Sequence, residues 1–234
     1  MQIFYTSGVA GSVATFNRDE SGHCIRVLRM RKGDQINFTD GRGNMYEGVI
    51  TGESQVMMEV SVINVIQEYG RRSYRLHAAI SLLKNNDRLE WFIEKAVEMG
   101  IDEITPLICS RTEKQRIKRD RLESLIMSAM KQSVKAYLPV LNEPITVSEF
   151  LAGKFSGVKL IAHCNGVPER KPVSTVVRRG ADTVIMIGPE GDFTVEEVML
   201  AAEAGFIPVH LGASRLRTET AGVAACCSVY LTNI

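Results

Sequence analysis

Ile187-Gly-Pro-Glu-Gly-Asp-Phe193 and, further on, Leu211-Gly-Ala-Ser-Arg-Leu-Arg-Thr-Glu-Thr-Ala221 decide how this chain is read. Each segment follows an apolar, strand-like run (Thr183–Ile187, Pro208–Leu211) and leads into a helix-like run. Glycines just after a strand let a ligand approach the main chain closely. In open α/β sheets, pockets form beyond the carboxyl ends of the strands. Neither loop is a G-x-G-x-x-G turn, and neither carries the lysine and hydroxyl of a P-loop, so dinucleotide or nucleotide-phosphate binding is poorly supported. Glu190 sits badly beside a polyanion and better suits a neutral or cationic ligand. The second loop crowds Arg215, Arg217, Glu219 and several hydroxyls at a helix start. Taken alone, that loop also reads as plain structure, with Thr218 or Thr220 as N-cap and Glu219 favouring the helix dipole.

Outward from these loops, residues 71–234 read as alternating strands and helices, which predicts a parallel α/β sheet. Strands are expected at Leu76–Leu83, Ile104–Cys109 (despite Pro106), Val158–His163, Thr183–Ile187 and Pro208–Leu211. The spacing predicts one helix capped at Asp87 with Glu90 as its box partner, carrying Leu89, Phe92, Ile93, Ala96 and Val97 on one face and ending at Gly100. Others are expected over Arg119–Ala136, from Thr194 (boxed with Glu197) to Gly205, and over Glu219–Leu231. Residues 1–70 are different. Short β-prone runs at His23–Leu28, Gln35–Thr39, Met45–Ile50 and Val56–Val65 are separated by turn signals such as Asp40-Gly41, which predicts a small barrel or sandwich. The polar stretch Glu68–Ser73 marks the boundary.

Composition narrows the class. A chain of 234 residues, 45% hydrophobic and 24% charged, is long enough for a large domain or two smaller ones. No apolar run approaches the roughly 18–20 residues that span a bilayer, and the N-terminus lacks the pattern of a signal peptide, so a cytoplasmic chain with no membrane partner is expected. The five cysteines are scattered without a C-x-x-C pair, which argues for reduced thiols and no metal site. Net charge is only +1, yet basic residues cluster. His23–Lys32 holds four arginines and lysines with no acid, and Arg111–Lys135 holds eight against three acids. Such patches can hold phosphates in a near-neutral chain.

Joined in order, the two loops resemble the cofactor loops of SPOUT-class RNA methyltransferases. The likeness is strongest to the family that methylates N3 of a uridine in 16S (small-subunit) ribosomal RNA. That family's pattern is G-P-E-G followed by L-G-x-x-x-L-R-x-E-T-A, met here by Gly188, Pro189, Glu190 and Gly191, then Leu211, Gly212, Leu216, Arg217, Glu219, Thr220 and Ala221. Upstream, His23-Cys-Ile-Arg-Val-Leu-Arg29, Glu94–Gly100 with Ile104-Thr-Pro106 and Ser110-Arg111, and Gln132-Ser133 match further stretches in the same order. Lys131 and Lys135 stand where the family often has an acid and an arginine.

The resemblance implies a PUA-like β-barrel over residues 1–70 and a SPOUT domain with a deep trefoil knot over 71–234. It implies S-adenosylmethionine as cofactor, held largely by main-chain groups at His163, Ile187, Gly188, Pro189, Glu190, Gly191, Leu211, Gly212, Leu216 and Ala221. Arg217 is the expected catalytic residue, orienting the uracil and stabilising its developing charge, with Glu219 as proton acceptor or as orienting partner. The expected RNA contacts are His23, Arg26, Arg29, Arg31, Lys32, Lys84, Arg88, Arg111, Lys131 and Lys135, to 16S rRNA or the small ribosomal subunit. A homodimer is also implied. The rival reading is a non-catalytic RNA-binding or ribosome-assembly factor. A hydrolase finds no G-x-S-x-G elbow to support it.

Overall fold

A computed structural model describes residues 2–166 and 168–234. The chain forms two compact units, Met1–Arg71 with Met127–Leu138, and Arg72–Ile126 with Pro139–Ile234. A twelve-residue segment from the middle of the sequence thus clusters with the N-terminal unit.

In the first unit, β1 (Ile3–Tyr5), β2 (Gly8–Ala10), β3 (Val13–Thr15), β4 (Gln35–Thr39), β5 (Met45–Gly52) and β6 (Glu59–Ile66) form one sheet in the order β1-β4-β5-β6-β3-β2. Only the β1–β4 pair is parallel. No ladder joins β2 to β1 among the described residues, so the hydrogen-bonded path is open where a barrel or sandwich was expected. Period-two alternation buries Ile36 and Phe38 beside Phe4, Phe16, Ile50 and Val60. The expected strand at His23–Leu28 is instead helical. Asn17 caps α1 (Arg18–Gly22) by accepting from the Glu20 amide, and a π-helical turn, His23–Val27, follows directly. Ser21 Oγ donates to the Phe16 carbonyl (3.2 Å) and accepts from the Met58 amide (2.8 Å), which pins this turn so that Cys24 and Ile25 enter the core. Tertiary burial outweighs the β-prone composition of the stretch.

The second unit is built on eight parallel strands. These are β7 (Leu76–Ser81), β8 (Glu103–Ile108), β9 (Val140–Leu141), β10 (Ile145–Thr146), β11 (Val158–Ala162), β12 (Lys171–Pro172), β13 (Thr183–Ile187) and β14 (Ile207–His210). Their order is β10-β8-β7-β13-β11-β14-β12, with β9 also on β8. β13, wholly buried, lies between β7 and β11. Pro106 is tolerated in β8 because it falls between the two short neighbours. β9 pairs with Glu103 and Ile104, β10 with Leu107 and Ile108, and the residue lacking an N–H sits in the gap.

Helix α2 (Asn86–Glu98) buries the five expected apolar residues, and Gly100 takes φ +85° just beyond its end. Its cap is Asn85, accepting from the Asp87 amide, two residues earlier than the expected Asp87. Helix α3 (Arg119–Gln132) stops short of Ala136, and Val134 adopts φ +55°. α4 (Val147–Leu151) precedes β11. α5 (Val195–Glu203) has the expected capping box of Thr194 and Glu197. α6 (Thr218–Thr232) is capped by Arg217 without a side-chain hydrogen bond, so neither Thr218 nor Thr220 is its N-cap.

Gly222 lets α6 lie close to α2. A Cβ there would meet Phe92 ring carbons at 2.7 Å and Ile80 Cδ1 at 3.0 Å. Gly222→Val therefore overpacks this seam by about 1–3 kcal/mol and lowers the melting temperature by several degrees. A thermal scan with no change would refute that close packing.

Candidate functional site

The loops that leave β11, β13 and β14 surround one cavity of about 1000 Å³ in the second unit. Ala162–Asn165 and Arg170 come from the first loop, Ile187–Asp192 from the second, and Val209–Thr218 with Ala221 from the third. His163, Ile187, Gly188, Pro189, Glu190, Gly191, Leu211, Gly212, Leu216 and Ala221 all line it, with Arg217 and Arg111 beside them. Asn165, Arg170, Asp192, His210, Ser214 and Arg215 also line it and had not been singled out as contacts. Asp192, Ser214 and Arg215 lie inside the quoted motifs, and no motif marks Asn165, Arg170 and His210.

Local chemistry holds these loops in shape. Asp192 adopts φ +63°, and its amide donates to the Pro189 carbonyl (2.9 Å). Its carboxylate accepts from the amides of Cys164 (2.8 Å) and Phe193 (2.9 Å), tying the first loop to the second. Asn165 Nδ2 donates to the Phe193 carbonyl at 2.9 Å and reinforces the tie. Gly188 is needed because a Cβ there would press within 2.9 Å of the Phe193 ring. Gly212, at φ +130°, has open space where a side chain would stand. Arg111 donates to the Gly191 carbonyl. Its neighbour Ser110 is located by the α5 capping glutamate, since Glu197 Oε1 accepts from the Ser110 amide (2.8 Å) and hydroxyl (3.0 Å).

Among the described wall residues, His163 is the buried side chain left without hydrogen-bond partners. It is 4% exposed, and neither ring nitrogen has a hydrogen-bond partner. Its carbonyl accepts from Arg170 Nη1 at 2.8 Å, which fixes the main chain and leaves the ring to the cavity. Burial lowers its pKa below the usual 6.5, outweighing the opposing pull of Asp192. The wall also carries Arg111, Arg170, Arg215 and Arg217 against Glu190 and Asp192, so it presents both signs of charge.

Glu219 does not line the cavity. It is 7% exposed, with Oε1 3.8 Å from Arg88 Nε and Oε2 unpartnered. Its cationic neighbour is thus Arg88 on α2, a residue assigned to RNA from sequence, rather than Arg217. Among the other expected RNA contacts, Lys84 is exposed and paired with Glu113 (2.7 Å). In the first unit His23, Arg26, Arg29, Arg31 and Lys32 are exposed, Lys131 is half-buried in an ion pair with Glu20, and Lys135 is half-buried. No helix is long and apolar enough to cross a membrane, and no cluster of potential metal ligands occurs among the described residues.

Comparisons with known proteins fit this geometry. The RNA methyltransferase domain family matches residues 71–230, and the RNA methyltransferase PUA domain family matches 16–55. Ribosomal RNA small subunit methyltransferase E of Synechocystis is 30% identical over 210 residues, covering 86% of this chain and 67% of that protein. A probable rRNA-methyltransferase from Porphyromonas gingivalis superposes with a TM-score of 0.93 at 40% identity, over 100% of this chain and 98% of that one. The ribosomal RNA small subunit methyltransferase E of Neisseria gonorrhoeae, solved bound to S-adenosyl methionine, gives 0.85 at 28% identity over 100% and 98%.

The lowered His163 pKa sets a sign. The folded state binds fewer protons than the unfolded chain, so this contribution to stability is complete above pH 6.5 and is lost as pH falls through the folded pKa. The ring protons of His163, followed by NMR, are expected to titrate below 6.5, and a midpoint at or above that value would contradict a buried neutral ring.

Proposed function

The chain belongs to the RNA methyltransferase family that joins this domain to a PUA domain, and on that premise we propose that it transfers the methyl group of S-adenosylmethionine to N3 of a uridine in 16S ribosomal RNA. The observation that carries this reading is the three-loop cavity with its glycine-bearing walls and its buried, unpartnered imidazole. A cofactor recognised mainly through main-chain groups suits loops shaped by glycine, where Gly188 packs its backbone against Phe193 and Gly212 takes φ +130° beside open space. A buried polar ring without partners is costly unless a ligand satisfies it. The residues therefore fit the cofactor, which His163, Ile187–Gly191, Leu211, Gly212, Leu216 and Ala221 would hold. When bound, S-adenosylmethionine supplies an electrophilic methyl carbon on a sulfonium.

Uridine N3 carries a proton and is a poor nucleophile while neutral. Arg217 lines the cavity wall where α6 begins; in this reading it orients the uracil and stabilises the negative charge spreading over N3 and its flanking oxygens. Glu219, buried in the first turn of α6 with Arg88 3.8 Å away, would position that helix start rather than take the proton directly. The uridine must be unpaired or extruded to present N3. A deep trefoil knot, implied by the resemblance, belongs to the same reading. The reading includes a cytoplasmic homodimer, supported by exposed Met199, Leu200, Tyr230 and Leu231 on α5 and α6. The rival reading of a pure RNA-binding factor leaves the cavity without a purpose.

Incubation with labelled S-adenosylmethionine and small-subunit rRNA, followed by mass mapping, is expected to show one methyl on a single uridine. Arg217→Ala is expected to lower kcat by about 10²–10³-fold while cofactor affinity holds. Full activity in that variant would remove Arg217 from the chemistry, and no methylation by the wild type would sink the whole reading. Sedimentation at micromolar concentration should give about twice the 25.9 kDa chain mass, and a pure monomer would contradict the dimer.

A further inference from the structure

A second, smaller cavity lies within the first unit, far along the sequence from the cofactor loops. Its volume is about 310 Å³, and it is lined by Gln2, Ile3, Phe4, His23, Lys131 and Gln132. That size is at the low end for ligand pockets, suited to one nucleotide and too small for a duplex. Ile3 and Phe4, each 3% exposed, supply an apolar floor. Gln2, His23 and Gln132 are exposed and supply a rim of groups that both donate and accept hydrogen bonds. Gln2 Nε2 lies 3.4 Å from His23 Nε2, so two of these groups already converge.

The rim is held firmly. Lys131 pairs with Glu20, a carboxylate 6% exposed that also accepts from the Tyr5 amide at 3.2 Å. The lysine is thereby fixed at the cavity wall rather than left swinging in solvent. His23 is the first residue of the π-helical turn, and that turn runs straight into a cationic ridge. Arg26, Arg29, Arg31 and Lys32 on that ridge are exposed, and none forms a side-chain ion pair with a described residue. Arg29 is held at φ +59°, a conformation uncommon for a residue with a Cβ. Val27 and Leu28 between the arginines are 59% and 36% exposed.

We propose that this cavity seats one extruded nucleobase of the RNA, its ring on Ile3 and Phe4 and its polar edge on Gln2, His23 and Gln132, while the ridge from Arg26 to Lys32 grips the adjoining phosphates. A flat heterocycle with a polar edge matches an apolar floor beneath an amide rim. A polyanionic strand matches the unpaired cations beside it. The proposal rests on the RNA methyltransferase reading and adds a base-reading contact outside the cofactor cavity. The first unit would then do more than supply charge. It would require an unpaired nucleotide at a second place in the substrate, so a fully paired strand would be discriminated against.

The test compares two labelled probes of equal length, a single-stranded RNA dodecamer of mixed sequence and the same ribose-phosphate strand made abasic throughout. Wild-type protein is expected to bind the base-bearing strand at least tenfold more tightly. Gln2→Leu with Gln132→Leu should close most of that gap and leave the slope of log affinity against log salt unchanged. Both side chains are exposed, so folding should survive, and an unchanged melting curve verifies it. Arg26→Ala with Arg29→Ala should weaken both probes together and reduce the salt slope by about 1.4, at about 0.7 per phosphate contact on a single strand. Equal binding of the two probes by the wild type would show a phosphate site only and overturn the proposal, as would a gap that persists in the double leucine variant. Methylation of small-subunit rRNA by the same wild-type preparation separates the two readings: activity with no base preference removes the pocket alone, and no activity removes the methyltransferase reading.

Discussion

The parallel direction of eight strands is the constraint on which the rest of the second unit depends. Parallel pairing sends every strand end to the same edge of the sheet, and each connection must return outside it. Because β13 and β14 flank β11, the three loops that leave these strands meet at one place. Residues more than fifty positions apart in sequence, His163 and Arg217 among them, become walls of a single cavity. Burial of β7, β13 and β11 between covering helices supplies the driving force, roughly 1.5–3 kcal/mol for each fully buried Val, Leu or Ile.

Several polar groups serve both the fold and the site. Glu197 closes the α5 capping box and also holds Ser110, which brings Arg111 to the Gly191 carbonyl. Asp192 accepts the left-handed backbone of a tight turn and binds the Cys164 amide. Against these satisfied groups, the bare imidazole of His163 stands out. A folded protein rarely leaves a buried ring unpartnered for structural reasons alone, and this one lies on the cavity wall. Glu219 is a different case, since its closest cation, Arg88, is on the α2 side.

Much of this was legible in the residues. Thr183–Ile187 is a strand with the bounds read from its apolar run, and the Thr194–Glu197 box caps α5 as its spacing requires. Both signals are local and uncontested by neighbours. The reading failed where distant parts of the chain compete. His23–Leu28 is β-prone by composition, but Ser21 and the core draw it into a helical turn. Arg88, expected as an RNA contact, also stands 3.8 Å from the buried Glu219 carboxylate, a pairing between distant segments that no local pattern marks. Asn165 and Arg170 carry no motif, and only the placement of the loop after β11 puts them on the cavity.

By itself, the sequence determined the main strands and helices of the second unit, the change of pattern near residue 70, and the two glycine-bearing loops. Those depend on periodicity, turn chemistry and residues a few positions apart, which the chain order preserves. Tertiary structure alone decided that Met127–Leu138 joins the N-terminal unit, that His163 is buried with both nitrogens free, and that a second cavity forms around Phe4 and His23. Each of these requires segments far apart in sequence to pack together. Which groups lose their water and which find partners is settled only when they do.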